Sequence, residues 1–568
     1  IESQPAFGKK LLSKYGFQDG MGLGVNRQGI RAPIELQIRD GRMGLGLESS
    51  GGEGRGSAIV EQRHDASVYK SKQFPHRQSI QYIHYSSSQD SKNVESVESV
   101  ESVENGNDKL SIVCDGVRYR IYTSQELQAD AYDAQLSTAT CDVALLARVN
   151  SAKSVFDGVS DEKFSYARFK ANPYELIGRK QSCIFQNRAA VKTANLDTVV
   201  GLTTTDDSSS SSSSSPSQSE TTASNWLLPE EKGVLYFADI CAGPGGFTEY
   251  LYWRLKTERT KGWGFTLKEG ENDWQLEKFN PDAPHDNFEL CYGVDGTGNV
   301  KNSDNIIDLS NRIDEGTNGR GVALLLADGG DTVGEDYGNQ EFLMRGIVFG
   351  EFLTCMHVVR PGGIFICKLF DIYSHFSVSI LYMLYMNFES FGLIKPFTSR
   401  PANSERYVVC KGLKTRKPAP LLQFLIEVNR RLNSNEDVAA IIHPSVIEKD
   451  ETFVKYLRQS STEIMEQQID TLTLMKMFVE DPYLDARDEM KKELLAQCLK
   501  EWNLPDARSI RRPHYGSSRG RGGYGSRGRG GRGRGRGSGR GSGGRGGRGR
   551  SDNHYSSGAR LNSERDDY

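Results

Sequence analysis

The chain has 568 residues, 37% of them hydrophobic, and no apolar run of about 18 residues, so it can bury a core but we expect no membrane partner. No secretory signal peptide is visible, and an odd number of cysteines without a CxxC pair predicts free thiols in a reducing compartment and no metal site. The net charge of −3 conceals an acidic body with 57 basic and 74 acidic residues, joined to a segment between Ala507 and Ser551 that holds 14 arginines and no acids.

Glycines recur through residues 1–48, with leucine and methionine residues at regular places between them. A flexible glycine-rich arm is the simplest alternative, but such an arm would not need these apolar residues. The segment resembles a G-patch, a short module of RNA-processing proteins, and the resemblance implies an RNA helicase as a partner. It rests on Leu11, Leu12, Pro33 and the glycines Gly16, Gly20, Gly22, Gly24, Gly29, Gly44 and Gly46.

Two polar segments interrupt the chain. Residues 49–110 contain the repeat VESVESVES at Val94–Ser102, and a composition this polar predicts a disordered linker that buries no core. Residues 203–224 contain eight consecutive serines, Ser208–Ser215, and we interpret them as a surface-loop insertion within a folded domain that spans residues 111–410.

Strands and helices alternate from Gly233 onwards. The segments GVLYFADI, KGWGFTL, NFELCYG, GVALLLAD and GGIFICKLF are mostly apolar and read as buried strands, and helices are predicted at PGGFTEYLYWRLK, Glu341–Val359 and Phe376–Phe391. This alternation predicts an α/β fold with a Rossmann-like sheet, mostly parallel and covered on both faces, whose last strand, ERYVVCKG, is antiparallel. The segment CIFQNRAAVKTAN and most of residues 411–505 are predicted to be helical.

A glycine-rich turn follows the first strand of this sheet. Ligands of such sheets bind outside the carboxyl ends of the strands, where glycines allow a close backbone approach. A dinucleotide site is excluded, because the motif G-x-G-x-x-G that begins at Gly243 has Thr248 at its sixth position and the second strand ends in Thr266 without an acid; no Walker lysine is present either. A tight turn of purely structural importance is about as plausible on the glycines alone. A nucleoside cofactor without a pyrophosphate, S-adenosylmethionine, suits the turn formed by Cys241, Ala242, Gly243, Pro244, Gly245, Gly246 and Phe247.

Four charged residues are expected to meet beside this turn. Asp328 and Lys368 end the fourth and fifth strands, Glu405 begins the antiparallel strand, and Lys192 lies in the helical segment before the sheet. A hydroxyl that attacks a methyl group must lose its proton to a base, and a neutral lysine whose pKa is lowered by a second ammonium group can accept it. Any one of these residues alone would more often be part of a surface salt bridge.

The residues after Asp506 are RG and RGG repeats with interspersed tyrosines, predicted to be a disordered tail. Such repeats bind RNA through phosphate contacts and arginine stacking, with little sequence specificity, unless they serve only as a solubilising tail.

Deleting Arg508–Tyr568 should weaken RNA affinity and flatten its salt dependence, because fewer counterions are released when fewer arginines contact phosphates. Titrating RNA against the full chain and the truncated chain at several salt concentrations measures this. The truncated chain should keep its catalytic activity, since no candidate site residue lies in the tail. A folded but inactive truncated protein would contradict this prediction.

The order Lys-Asp-Lys-Glu, together with AGPGG in the first turn, resembles the FtsJ-like ribose 2′-O-methyltransferases. The resemblance is stronger to those specific for the cap of mRNA, through KSVFD, ARFKANPYE, FQNRAAVKTAN, LLLADGG, FICKLFD and FTSRPANSERYVVCKGLK. It implies that Lys192, Asp328 and Lys368 are catalytic, with Lys368 as the proton acceptor and Glu405 in support.

The same resemblance implies two sets of binding residues. Asn187, Asn299 and Val300 would add contacts to S-adenosylmethionine, although the family has an acid where Asn299 stands, and Asp295 is close by in the sequence. Animal members continue into guanylyltransferase-like and WW domains, whereas this chain continues into the RGG tail. Capped RNA would be bound by Lys153, Ser154, Val155, Phe156, Asp157, Arg168, Gly338, Asn339, Gln340 and Asn403.

Three functions remain open at this point. The first is a nuclear enzyme that methylates the ribose 2′-hydroxyl of the first transcribed nucleotide of m7G-capped mRNA. The second is a 2′-O-methyltransferase of ribosomal or transfer RNA, and KSVFD and RPANSER favour the first function over it. The third is a non-catalytic RNA-binding adaptor, which the G-patch and the tail alone would suit but which would not need the four charged residues.

Overall fold

The computed structural model describes residues 72–85, 111–114, 116–133, 135–179, 183–203, 234–330, 339–416 and 419–507. The predicted G-patch, most of the predicted linker, the serine-rich insertion after Thr203, Gly338 and the RGG tail after Ala507 lie outside the described residues.

The described residues form ten strands and twelve α-helices, each set numbered in chain order. The strands are β1 (Tyr82–Ile83), β2 (Ser111–Cys114), β3 (Val117–Arg120), β4 (Leu235–Ile240), β5 (Thr260–Phe265), β6 (Glu289–Cys291), β7 (Val322–Ala327), β8 (Val359–Leu369), β9 (Phe388–Ile394) and β10 (Arg406–Leu413). The α-helices are α1 (Ser124–Ala129), α2 (Val143–Ser154), α3 (Asp161–Ala171), α4 (Arg188–Val200), α5 (Gly246–Leu255), α6 (Ser303–Thr317), α7 (Gln340–Val358), α8 (His375–Asn387), α9 (Ala419–Asn433), α10 (Pro444–Ile447), α11 (Glu451–Glu480) and α12 (Asp488–Glu501).

The central sheet has the strand order β1-β9-β10-β8-β7-β4-β5-β6. Strands β4 to β8 pair in parallel, and β10 runs antiparallel to both β8 and β9. The predicted fold class, a mostly parallel sheet with an antiparallel last strand, is confirmed. Successive residues of one strand enter different cores: Phe237 packs in one hydrophobic cluster and Ala238 in the other. Both faces of the sheet are therefore covered, which explains the continuous apolar strands in the sequence.

The predicted linker differs from the structure over residues 72–85. Tyr82 pairs with Gly392 and Ile83 with Phe391, so this segment adds an edge strand to the sheet. Phe74 and Ile80 pack against the core beside α4 and α12. The polar composition of residues 49–110 as a whole concealed the few apolar residues of this segment, which folds because it has a strand and a core to join.

Two predicted helices differ from the structure by more than two residues at one end or both. The helix before the sheet begins at Arg188 rather than at Cys183, because Asn187 caps it: its side chain accepts a hydrogen bond from the backbone N–H of Ala189. The helix predicted to reach Phe391 ends at Asn387, because Phe388 begins β9 and pairs with β10.

Helices α9 to α12 lie in the part of the chain predicted to be mostly helical. The 30-residue helix α11 packs against α2 and α3, which precede the sheet in the chain. This contact holds the N-terminal helices close to the later part of the chain. Within the described ranges, no helix is long and apolar enough to cross a membrane. All nine cysteines are free thiols, and seven of them are buried.

Candidate active site

The four predicted charged residues meet at one edge of the sheet. Nζ of Lys192 lies 3.3 Å from Oε1 of Glu405 and 3.7 Å from Oδ1 of Asp328. Nζ of Lys368 lies 3.3 Å from the same Asp328 oxygen, and it donates a hydrogen bond of 2.7 Å to the Asp328 carbonyl. All four side chains are mostly buried, so two ammonium and two carboxylate groups share one poorly solvated space.

The sheet topology explains this convergence. Asp328 follows β7 and Lys368 lies near the end of β8, and these strands are parallel neighbours. The antiparallel register pairs Tyr407 with Lys368, which brings the preceding Glu405 to the same edge. Lys192 enters from α4, four residues after the first residue of that helix.

The pKa of Lys368 is raised, whereas the sequence predicts that it is lowered. Burial lowers the pKa of this lysine, but the carboxylates of Asp328, Glu405 and Glu351 outweigh burial, and the pKa is raised above the ordinary value. The pKa of Glu405 falls to about 2, because Lys192 and Lys368 outweigh the effect of its burial. The expectation was wrong because it weighed the neighbouring ammonium without the surrounding carboxylates. The surrounding carboxylates therefore favour the charged form of Lys368.

Tyr407 is a member of this cluster that sequence reasoning missed. Its side chain is fully buried, and its hydroxyl donates a hydrogen bond to Oδ1 of Asp328. The ring lies beneath Lys192, whose Nζ is 5.3 Å from the ring centroid. The signal was present, because residues two apart in a strand share a face and Tyr407 follows Glu405 by two.

Glu351 of α7 is a second missed residue. One carboxylate oxygen accepts a 2.8 Å hydrogen bond from the backbone N–H of Gly329, and the other accepts one from the Cys367 thiol. Burial raises the pKa of Glu351 to about 7. This side chain holds the turn after Asp328 against the strand that carries Lys368. A lone acid within the apolar run VFGEFLTC was the signal in the sequence.

Lys395 is a third missed residue, and it holds the loop that leads to Glu405. Its Nζ donates to the carbonyl oxygens of Asn403 and Glu405, at 2.7 and 2.9 Å, and to Oδ1 of Asn403 at 2.9 Å. Burial lowers the pKa of Lys395 to about 7, although the Glu405 carboxylate acts in the opposite direction. Lys395 is thus a positioning residue for both Asn403 and Glu405.

The lowered pKa of Lys395 predicts a pH-dependent contribution to stability. Between about pH 7 and the ordinary lysine value of 10.5, the unfolded chain binds a proton here that the folded chain does not. The contribution of Lys395 to the free energy of unfolding should therefore rise with pH across this interval, and the total rise should be smaller in Lys395→Met. Urea unfolding at pH 7 and pH 9 measures the difference. The exposed Lys476→Met is the control, and a Lys395→Met effect equal at both pH values would contradict the prediction.

The glycine turn is crowded by atoms of the protein itself. Gly245 has φ +109°, and a Cβ on it would lie 2.9 Å from the rings of Trp274 and Phe279. A Cβ on Gly243 would lie 1.8 Å from the carbonyl oxygen of Asn272. The glycines are thus required by the loop that packs on the turn, in addition to any ligand. Cys241, Gly243 and Pro244 remain partly exposed at the catalytic edge.

The other predicted cofactor residues lie around this turn. A Cβ on Gly246 would lie 2.2 Å from Oδ1 of Asn187, which caps the helix that carries Lys192. The Asn299–Val300 turn follows Gly298, which packs closely against the carbonyl of Thr266. The Thr266 hydroxyl in turn accepts a hydrogen bond from the Gly243 N–H. Asp295 is hydrogen bonded to Thr297, Asn302 and Asn305, and these bonds lower its pKa.

Replacing Gly245 with valine should deform the turn and abolish affinity for S-adenosylmethionine. The strained φ alone costs about 1–3 kcal/mol, and the contacts with Trp274 and Phe279 add to it. Calorimetry of a folded variant measures the affinity. Gly319→Ala is the matched control, since Gly319 has φ +75° but nothing within 4 Å of an added Cβ. Unchanged affinity in Gly245→Val would remove the turn from cofactor binding.

The predicted cap-binding residues lie on α2, α3 and the turn between them. Lys153 and Ser154 end α2, and Val155 and Asp157 are exposed in the turn that follows. Phe156 is half-buried and packs edge-to-face on Phe164, with ring centroids 5.5 Å apart. The guanidinium of Arg168 lies 5.9 Å from the centroid of that second ring. Phe156 therefore packs on Phe164 while part of its surface stays accessible.

The remaining predicted substrate residues are divided between two places. Asn339 is exposed and precedes α7, and Gln340 begins that helix; Gly338 lies outside the described residues. Asn403 lies in the loop before β10, where Lys395 holds both its carbonyl and its side-chain oxygen. The structure thus places Asn403 beside the charged cluster.

Comparison with known proteins agrees with this geometry. Residues 185–413 match the FtsJ-like methyltransferase family, and residues 6–48 match the G-patch domain, which confirms the interpretation of the N-terminal segment. The chain is 33% identical over 513 residues to a "Cap-specific mRNA (nucleoside-2'-O-)-methyltransferase 1" of Dictyostelium discoideum, across 88% of this chain and 61% of that protein. It is 36% identical over 506 residues to the protein of the same name from Xenopus laevis, across 88% and 53%.

A further relative has lost activity according to its name. The chain is 34% identical over 531 residues to an "Inactive cap-specific mRNA (nucleoside-2'-O-)-methyltransferase 1B" of Caenorhabditis briggsae, across 91% of this chain and 57% of that protein. The chain spans about half to three-fifths of the length of these three relatives. Overall sequence identity does not separate the relative named inactive from the others, so the residues of the site must decide whether this chain is catalytically active.

Proposed function

We propose that this chain, whose residues 185–413 match the FtsJ-like methyltransferase family, transfers a methyl group from S-adenosylmethionine to a ribose of capped mRNA. The acceptor is the 2′-hydroxyl of the first transcribed nucleotide behind an m7G cap. The observation that carries the proposal is the convergence of Lys192, Asp328, Lys368 and Glu405 beside the glycine turn. The names of the relatives support the choice of substrate.

The turn Cys241–Phe247 suits the donor, since its partly exposed backbone lies at the catalytic edge beside Asn187 and the Asn299–Val300 turn. When bound, S-adenosylmethionine supplies an electrophilic methyl group on a positively charged sulfur. The residues around the turn include neutral hydrogen-bonding side chains, Gln186 and Thr266, which suit a nucleoside better than a pyrophosphate.

The charged cluster is suited to taking the proton of the hydroxyl. Lys368 accepts that proton in its neutral form, and Asp328 fixes the position of its nitrogen. Burial already favours the neutral amine, and the carboxylates oppose it. A further positive charge entering the site lowers the pKa of Lys368 and shifts this balance towards the neutral base. Lys192 keeps Asp328 and Glu405 paired during the transfer.

The helices before the sheet support recognition of a cap. Phe156 presents part of its ring, and a methylated guanine is a cation that an aromatic face attracts by roughly 0.5–2 kcal/mol. Arg168 lies beside Phe164, on which Phe156 packs, and Lys153 precedes Phe156 by three residues at the end of α2. Both positive charges can therefore contact the phosphates between a cap held at Phe156 and the first nucleotide. A cap held here limits which ribose reaches Lys368.

The proposed setting is the nucleus, where transcripts are processed, with an RNA helicase as a partner of the G-patch. The support is the G-patch match at residues 6–48 and the RG and RGG repeats of the tail, both of which suit an RNA-processing protein.

Methylation of capped and uncapped transcripts of identical sequence tests the proposal. We expect methyl transfer to the capped RNA only, with the label mapped to the first transcribed nucleotide by nuclease digestion and mass spectrometry. Equal rates on both RNAs, or labels scattered along the chain, would favour a ribosomal or transfer RNA substrate. RNA binding without any methyl transfer would favour the adaptor function.

A further inference from the structure

A second charged cluster lies behind the catalytic one and carries more positive than negative charge. The buried carboxylate of Glu175 lies 3.3 Å from Nη1 of Arg188 and 3.6 Å from Nη2 of Arg400. It also accepts a 2.6 Å hydrogen bond from Asn172. Burial raises the pKa of Glu175, but Arg188 and Arg400, with a smaller effect of Arg168, lower it below the ordinary value. One carboxylate thus faces three guanidinium groups.

Both arginines of this cluster keep a buried donor without an acceptor. Arg188 donates a hydrogen bond through Nε to the carbonyl of Thr398 and forms an ion pair through Nη1 with Glu175, which leaves Nη2. Among the atoms of the described residues, neither Nη2 of Arg188 nor Nε of Arg400 has a hydrogen-bond partner. Buried polar groups are nearly always satisfied, and two guanidinium donors side by side are suited to an anionic partner.

The cluster lies one helical turn from the catalytic lysine. Arg188 and Lys192 are four residues apart in α4, so they share a face of the helix, about 6 Å apart along its axis. Arg400 lies in the loop between β9 and β10 that leads to Glu405. The negative charge of Glu405 also reaches Arg188 and raises its pKa, although burial has the larger effect and lowers it.

Two anions could meet these arginines: a phosphate of the RNA or the carboxylate of the methyl donor. The phosphate is favoured because two neighbouring residues, Asn403 and Arg168, are expected to contact RNA. Asn403 lies in the same loop as Arg400, and Arg168 is the third guanidinium near Glu175. Phosphates flank every ribose of an RNA chain, and guanidinium groups bind them through paired hydrogen bonds.

We propose that Arg188 and Arg400, held by Glu175, bind the phosphodiester adjacent to the ribose that is methylated. This inference rests on the proposed function and adds a second place at which the RNA is held. A cap site on α2 and α3 holds one end of the substrate, and this cluster holds the backbone next to the target ribose. Together they present one 2′-hydroxyl to Lys368.

The test uses Arg400→Gln, whose side chain is 40% exposed, with Arg416→Gln as the matched control of equal exposure. Capped RNA is prepared with a normal phosphate, or with a neutral methylphosphonate, between the first and second transcribed nucleotides. We expect Arg400→Gln to weaken binding of the normal RNA about tenfold and to reduce the salt slope by about one. The unaltered protein should bind the methylphosphonate RNA about as weakly as Arg400→Gln binds the normal RNA. The variant should lose little further affinity when it binds the methylphosphonate RNA.

Three outcomes would overturn the inference. In the first, Arg400→Gln binds RNA as tightly as Arg416→Gln does. In the second, the loss of RNA affinity caused by the variant and the loss caused by the methylphosphonate are additive. In the third, the affinity for S-adenosylmethionine falls instead of the RNA affinity, which would assign the cluster to the donor carboxylate. Arg400→Lys retains the charge without the paired donors and should bind RNA with intermediate affinity. Because the readout is binding, a chain that binds RNA but transfers no methyl group would contradict the proposed function and still report on this cluster.

Discussion

Lys368→Ala should abolish methyl transfer while the affinity for S-adenosylmethionine stays nearly unchanged. The lysine contacts both the carbonyl and the carboxylate of Asp328 and is the proposed acceptor of the hydroxyl proton. Losing a general base lowers the rate roughly 10²–10⁴-fold, and losing the alignment of the hydroxyl adds to this. Radioactive methyl transfer to capped RNA measures the rate, and calorimetry measures the cofactor affinity.

The exposed Lys476→Ala, on α11, is the control for this experiment and should leave both quantities unchanged. A Lys368→Ala protein that retains most of its turnover would remove this residue from its proposed role. A loss of cofactor affinity equal to the loss of rate would assign Lys368 to holding the donor.

Asp328→Asn should lower the rate by a similar factor and should also shift the pH dependence of the remaining activity. The amide keeps the size of the side chain and can still accept from Tyr407, but its negative charge is lost. Because Asp328 and Glu405 raise the pKa of Lys368 against the effect of burial, removing one carboxylate lowers that pKa. The rate of the variant should therefore reach its plateau at a lower pH than the rate of the unaltered protein.

Rates measured between about pH 6 and pH 10 give this profile, with saturating RNA and donor. Asp314→Asn is the control, since Asp314 pairs with Arg416 away from the site. A shift of the plateau to higher pH would mean that Asp328 does not hold Lys368 in its charged form. An unchanged rate would exclude Asp328 from the site.

The positions of the four catalytic candidates followed from the sequence because they depend on strand direction. The carboxyl ends of parallel strands share one edge of a sheet, so Asp328 and Lys368 had to lie near each other. An antiparallel last strand had to begin at that same edge, with Glu405 directly before it. Continuous apolar runs of strand length predict such a buried sheet. The family resemblance supplied the roles of these residues and the substrate.

Only the tertiary structure decided the electrostatics of the site and the second arginine cluster. Whether the pKa of Lys368 rises or falls depends on how many carboxylates surround it, and Glu351 reaches it from a helix that follows a different strand. Glu175, Arg188 and Arg400 come from three separated segments whose loops no periodicity describes. Sequence patterns report the direction and burial of regular elements, whereas the distances between side chains on loops depend on how the whole chain packs.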